Sequence, residues 1–397
     1  MIKLGCQASL PSGWKWYKAR ECMDIRDGTH DSPRYVADGY PLVTSKNLVD
    51  GKIDFSTCTF ISKEDHNAIS KRSAVDEGDI LYAMIGTIGN PVVVEKSQEF
   101  SIKNVALFKF NNENVFNKYI LHFLNSTLAV QQFNSHSRGG TQQFVSLGNI
   151  RDLQIPLPPL IEQKRIAAIL DKADSLRRKN QQAIQLADQF LRAVFLDMFG
   201  DPVSNPKGWE VENFGNVGIL DRGKSKHRPR NDPVLLGGEH PLIQTGDVAN
   251  SNGYIKKFSS TYSDIGLKQS RKWSSGTLCI TIAANIAKTG ILTFDACFPD
   301  SVVGFLPNDK VTVEYIQYWL RFLQSTLEAS APESAQKNIN LEILRNLNLP
   351  VPNKFIQEQF SAIVNKVLKV ENYLNEANMT THLFNSLSQK AFAGELK

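Results

Sequence analysis

The chain is poor in the residues that build metal and redox centres. Its five cysteines (Cys6, Cys22, Cys58, Cys279 and Cys297) lie far apart with no Cys-x-x-Cys pair. That excludes a zinc ribbon or a dithiol motif and fits reduced thiols in a cytoplasmic protein. The seven histidines (His30, His66, His122, His136, His227, His240 and His382) lack metal-ligand spacing. No apolar run is long enough to cross a bilayer and no signal-peptide pattern is present, so a cytoplasmic chain without membrane contact is expected. There is no Asn-Pro-Pro-aromatic methylase motif and no glycine-rich cofactor loop. No catalytic set emerges. Neither sign of charge dominates: 45 Lys and Arg against 40 Asp and Glu give +5. This mild excess permits a polyanionic partner without requiring one.

One further absence organises the chain. Between Pro159 and Gly200 there is neither proline nor glycine. Before that stretch, Pro156, Pro158 and Pro159 forbid a helix and make a stiff extended arm over Leu153–Leu160. Within it, Ile166, Leu170, Ala173, Ile184, Ala187, Leu191, Val194 and Met198 alternate at steps of three and four, a heptad seam. Arg177 and Asn180 take the two seam positions left over, where a buried Asn would fix register. One helix from 161 to 198 would be about 57 Å long.

The element returns. Leu347-Asn348-Leu349-Pro350-Val351-Pro352 repeats Leu153 to Pro158, and Gln163, Ala168 and Ile169 recur as Gln357, Ala362 and Ile363. The second helix carries Phe360, Ile363, Val367, Leu374, Ala377 and Phe384 and ends at Ala391-Phe392-Ala393-Gly394. A rod with one apolar stripe does not stand alone in water, and its repeat is the expected partner. Arg177 aligns with Glu371, and the two could pair near the dyad; in a two-fold dimer of residues 1–200, Arg177 near the dyad would instead meet its own copy.

The globular parts replay the same order. In the first, strands are expected near Ile25, at Pro41–Thr44 and at Ile80–Ile85, a turn at Gly86–Pro91, and a helix over Phe116–Phe133. In the second, Pro206-Lys207-Gly208-Trp209 echoes Pro11-Ser12-Gly13-Trp14, His240–Ile243 echoes Tyr40–Val43, and Gly276–Ile282 echoes Gly78–Met84. Tyr315-Ile316 echoes Tyr119-Ile120. The expected division is 1–152, a globular domain; 153–200, arm and helix; 201–346, a second such domain; and 347–397, arm and helix. The expected class is mixed α/β, with an internal pseudo-two-fold repeat.

On these residues the chain resembles the specificity subunit of a type I restriction-modification system. The likeness is carried by Ile155-Pro156-Leu157-Pro158-Pro159 through Ile169 and its repeat Leu349 through Ile363. Trp14, Trp209, the Gln142 and Gln336 loops and the closing Ala391–Leu396 add to it. Asn353 and Lys354 replace Pro159 and Leu160 in the second copy. The resemblance implies two target-recognition domains, each reading one half of a split sequence in double-stranded DNA. It implies two long antiparallel helices that form a coiled-coil spacer. It also implies two modification (methyltransferase) subunits that methylate adenine, and restriction (translocase and nuclease) subunits that join for cleavage. S-adenosylmethionine, ATP and Mg would sit on those partners, with no cofactor, metal or catalytic residue on this chain.

Candidate DNA contacts follow from residue chemistry. Arg222, Lys224, Lys226, His227, Arg228 and Arg230 form a flexible basic run able to neutralise phosphates. Thr44, Ser45, Lys46 and Asn47, and Gln244 and Thr245 with Gly246 and Asp247, follow equivalent strands and carry groups suited to base edges. Ordinary turn chemistry explains them equally well. Arg138, Gln142 and Gln143, and Lys337 and Asn338, stand in polar loops before each arm. The helix-pairing set is Ile166, Leu170, Ala173, Asn180, Ile184 and Leu191 against Phe360, Ile363, Val367, Leu374 and Phe384.

Two rival readings remain at this level. Gly218-Ile219-Leu220-Asp221-Arg222-Gly223-Lys224-Ser225 fits the phosphate-loop pattern, which would make the chain a nucleotide hydrolase with a helical stalk. Against it, Pro229 and Pro233 block the helix such a loop needs, and Gly28, fourteen residues past Trp14 as Gly223 is past Trp209, has no following lysine. The other rival is a coiled-coil scaffold that binds only protein.

Overall fold

The computed structural model describes residues 10–86, 88–136, 144–227, 229–283, 286–330, 339–376 and 379–396, without the side chains of 135–136, 325–330 and 372–380. The chain forms two compact units, Met1–Gln181 with Glu376–Lys397, and Gln182–Asn375. The repeat in the sequence divides near residue 200, but the folded units do not. Each takes half of the long helix α1 (Leu160–Phe199). The first unit adds α3 (Met379–Ala393) and the second adds α2 (Lys354–Glu376). Ala377 and Asn378 lie outside the described residues.

In the first unit the proline arm is a strand. Gln154–Leu157 pairs antiparallel with Lys15–Lys18, placing Pro156 opposite Trp16. A two-stranded ribbon tolerates a residue without an N–H. The main sheet runs in the spatial order Asp24–Asp27, Val105–Lys109, Ile80–Ala83, Gly89–Val93, all antiparallel. Ile80, Leu81, Tyr82 and Ala83 are buried without alternation because both faces are covered. Ile80 and Tyr82 join a core with Phe108, Tyr119 and Phe123, while Leu81 and Ala83 join another with Val43 and Ile102. The helix expected over Phe116–Phe133 is two, Asn117–Leu124 and Thr127–His136. Ser126 breaks it, its Oγ accepting from the Ala129 N–H in the manner of an N-cap.

The second unit repeats this plan. Val211–Asn213 pairs with the arm Asn348–Pro350, and the main sheet runs Gly218–Arg222, Val302–Pro307, Leu278–Thr281, Thr289–Leu292. It gains a fifth strand, Gly253–Ile255, parallel to Thr289–Leu292. Leu278 and Ile280 face one core and Cys279 another.

Three devices recur in both units. Gln163 accepts from the Phe116 N–H at 2.8 Å and donates to the carbonyls of Asn114 (2.9 Å) and Pro158 (2.8 Å). Gln357 accepts from the Thr312 N–H at 2.9 Å and donates to those of Lys310 (3.0 Å) and Pro352 (2.8 Å). The Tyr119 hydroxyl donates to the Pro156 carbonyl, and that of Tyr315 to the Pro350 carbonyl. Gly200 and Gly394 both sit at positive φ, +81° and +74°, with Pro206 and Pro11 respectively against the place a Cβ would fill.

The helices pair antiparallel within each unit. Ile166 and Leu170 share a core with Ala391 and Phe392, and Arg177 lies 5.5 Å over Phe384. Phe195 and Phe199 pack on Phe360 at 5.6 and 5.4 Å. Of the other pairing residues, Ala173 and Leu191 are buried, Ile184 and Asn180 half-buried, and Ile363 and Val367 pack against the second unit's core. Leu374 lies in α2. One expectation is corrected. Arg177 is engaged inside the first unit, by Asp174 and Phe384. Glu371 belongs to the second unit, where burial and then Asp188 raise its carboxyl above the usual range.

Candidate nucleic-acid interface

In the second unit the strand Gly218–Arg222 runs straight into the basic segment. Gly223 follows, its N–H donating to the Val302 carbonyl at 2.9 Å. The space a Cβ would take there is filled by the Phe298 and Pro299 carbonyls. In the first unit Gly28 occupies the matching place, its N–H on the Val105 carbonyl and its Cβ direction closed by Ile102. The glycines are required by backbone approach, not by a phosphate. Among the described residues no helix opens directly after Ser225; the next turn is Pro233–Leu235, capped by Asp232. The phosphate-loop reading fails on this geometry.

The basic segment was expected to be flexible, yet it is tied down. The N–H groups of Lys226 and His227 both donate to Gln269 Oε1, at 2.6 and 3.0 Å, and Ser270 Oγ donates to the Lys224 carbonyl at 2.9 Å. His227 meets Asp232 at 3.1 Å, and Arg230 pairs with Asp300 at 2.5 Å. The side chains of Arg222, Lys224 and Lys226 are exposed, and no carboxylate pairs with them among the described residues. Arg228 lies outside the described residues.

Beside this segment is a recess of about 370 Å³. Its floor is Leu242 and Tyr262, and its walls carry Ser225, Asn231, Gln244 and Ser260. Gln244 is exposed and lines the recess, and its backbone N–H is capped by Asp247 Oδ2 at 2.8 Å. Polar groups above an apolar floor, next to unpaired cations, suit base edges flanked by phosphates. Thr245 opens the short helix Thr245–Ala249.

The matching turn in the first unit differs in chemistry. Asn47 is buried, and its amide is fully used. Oδ1 accepts from the Thr44 N–H and hydroxyl, at 2.8 and 2.9 Å, and Nδ2 donates to the Asp54 carbonyl and Thr57 Oγ1. Asn47 and Thr44 therefore hold the turn, and the expectation that Asn47 meets a base is corrected. Lys46 is exposed and Ser45 half-buried on the same turn. Arg138, Gln142, Gln143, Lys337 and Asn338 lie outside the described residues.

His30, just past Gly28, bridges Asn104 Oδ1 and Asp27 Oδ2, both at 2.8 Å. The Asn104 contact first, and then Asp27, raises its pKa above the ordinary 6.5. A raised folded pKa stabilises the protonated form. This contribution is complete below about pH 6.5 and is lost as pH rises through the folded value. An NMR titration should show His30 titrating above free histidine, and Asn104→Ala should bring it down; an unmoved midpoint would refute the assignment.

Comparison with known proteins places this geometry. Residues 11–186 and 206–380 both match the family described as type I restriction modification DNA specificity domain. The chain is 22% identical over 376 residues to a putative type I restriction enzyme MjaX specificity subunit of Methanocaldococcus jannaschii, covering 89% of this chain and 87% of the relative. It is 26% identical over 397 residues to the EcoBI specificity subunit of Escherichia coli, covering 90% and 80%. The structure resembles a type I restriction-modification S subunit from M. genitalium at TM-score 0.62 and 14% identity, with 98% of each chain covered. Two matches, together spanning most of the chain, show that it belongs to the type I restriction-modification DNA specificity family. It is a DNA-recognising specificity chain of mixed α/β fold with two similar recognition domains. No described helix is long and apolar enough to cross a membrane.

Proposed function

We propose that the chain is the non-catalytic specificity subunit of a cytoplasmic type I complex, reading a split target with one half-site for each unit. The observation that carries this is a framework duplicated to the level of single hydrogen bonds, at Gln163 and Gln357, beneath recognition surfaces that differ. Equal scaffolds with unequal loops are what two unlike half-sites require.

Two modification subunits, one on each unit, fit a second duplication. Ile161, Ala168, Lys172 and Leu176 are exposed along α1, and Phe355, Ala362, Lys366 and Val370 are exposed at the same relative positions of α2. Ile161 is 85% exposed and Phe355 65%. Large apolar side chains kept in water at matched positions mark a shared protein contact. Restriction subunits join for cleavage, and S-adenosylmethionine, ATP and Mg belong to those partners.

Mapping methylated motifs in the host genome, with and without this gene, tests the reading: a split motif should vanish with the gene. Gln244→Ala should relax one half of that motif and leave the other intact. Lys224→Ala should weaken DNA binding of the full complex while its ATP turnover per bound DNA is unchanged. Loss of ATP turnover with unchanged DNA affinity would return the phosphate-loop reading.

A further inference from the structure

The segment that clips the basic run is itself basic. Lys268-Gln269-Ser270-Arg271-Lys272 passes from the end of the short helix Asp264–Lys268 into the strand Lys272–Trp273. Its inner residues are committed to structure. Gln269 and Ser270 hold the neighbouring backbone, and Arg271 stacks 3.8 Å over Trp273 and pairs with Asp221 at 3.2 Å. Its outer residues are not. Lys268 and Lys272 are exposed, and no carboxylate pairs with either among the described residues.

Two adjoining segments therefore present five cations without acid partners: Arg222, Lys224 and Lys226 on one, Lys268 and Lys272 on the other. By contrast Arg230, Arg271 and Arg345 nearby are each engaged by Asp300 or Asp221. Three arginines nearby thus carry acids, while among the described residues Arg222 and the four lysines do not. Lysine is a compact, hydrated point charge suited to a phosphate without fixed geometry.

We infer that Lys268 and Lys272 contact the DNA backbone as part of one phosphate-binding surface with Arg222, Lys224 and Lys226, and that Gln269 is the positioning residue that fixes the two segments together. The inference rests on the reading of this unit as a DNA reader. It adds a second strip of contacts that local sequence does not single out, because a lysine closing a helix ordinarily complements the helix dipole.

The test uses the full chain, assembled with its modification subunits, on a duplex of mixed sequence and on one carrying the mapped motif. Binding is followed against salt. Lys268→Ala and Lys272→Ala should each weaken both duplexes evenly, lower the salt slope by about one, and leave the methylated motif unchanged. Gln269→Ala should weaken binding and remove hydrogen-exchange protection at the Lys226 and His227 amides of the free protein, with melting of the remainder unchanged. A slope unaltered by Lys268→Ala and Lys272→Ala but lowered by Lys224→Ala would overturn the second strip and leave the reader intact. Slopes unaltered by all three would overturn the reader's basic surface itself. Retained protection at Lys226 and His227 in Gln269→Ala would remove its positioning role.

Discussion

Gln163→Leu should cost the first unit about 3 kcal/mol, and Gln357→Leu should do the same to the second. Leucine keeps the volume but makes no hydrogen bond. Each change strands one half-buried N–H and withdraws the donor from two carbonyls, and a buried polar group left unsatisfied costs about 1–3 kcal/mol. Both glutamines are almost fully buried, at 1% and 0% exposure, so water cannot stand in. The three partners also join separate pieces: the strand-to-helix turn at Asn114–Phe116, the arm at Pro158 and the first turn of α1. Hydrogen exchange reads the units separately. Gln163→Leu should deprotect peptides of residues 105–124 and 154–166 and spare residues 302–320. Uniform deprotection of both units, or a loss below about 1 kcal/mol, would show that the glutamine does not set the stability of its own unit.

Residues 1–200 alone should self-associate and, with the modification subunit, direct methylation to a palindromic split site. They carry the first reader and the entire α1 seam; a second copy's α1 would have to cover the core that α3 covers in the intact chain, and a two-fold pair of identical readers selects a symmetric target. The pairing register identifies what each side chain would meet. Arg177 stacks on Phe384, which stands where Phe190 does in the first repeat, so in the half-chain dimer Arg177 of one copy should stack on Phe190 of the other. From the sequence, Arg177 at the dyad would face its own copy, and removing its charge would help. The observed register displaces it from the dyad, so the expectation reverses. Arg177→Gln should weaken the dimer, by about 0.5–1 kcal/mol for an exposed cation–π contact. Sedimentation of both proteins at micromolar concentration, followed by motif mapping, decides it. A stable monomer or a non-palindromic motif would count against the paired register.

The long helix was legible because nothing in Leu160–Phe199 interrupts it and its apolar period is regular; the observed bounds differ from the expected ones by one residue at each end. The repeat was legible at the arms and helix starts, where side chains touch framework and cannot drift. The exchange of helix halves between units was not. A heptad seam states that a helix has a partner, but the partner's position depends on the crossing at residues 375–376. The turn at Asn47 misled for a related reason: an amide that caps a turn and one that reads a base look alike until burial is known. Gln269 and its lysines were missed because their role comes from contacts 42 and 43 residues away.

The meeting of Gly394 with Pro11 also carries a consequence for synthesis. In the second unit the same junction, Gly200 with Pro206, closes within six residues. In the first it waits for nearly the whole chain. Tyr119 and Phe123 are covered by Phe392, at 5.4 and 5.6 Å between ring centres. At about 5–20 residues per second, the stretch from Gln181 to Glu376 takes roughly 10–40 s to emerge. Over that interval the first reader exists on the ribosome with an aromatic core open on one side. The first half to be translated is the last to be finished, and chaperone demand should fall on it.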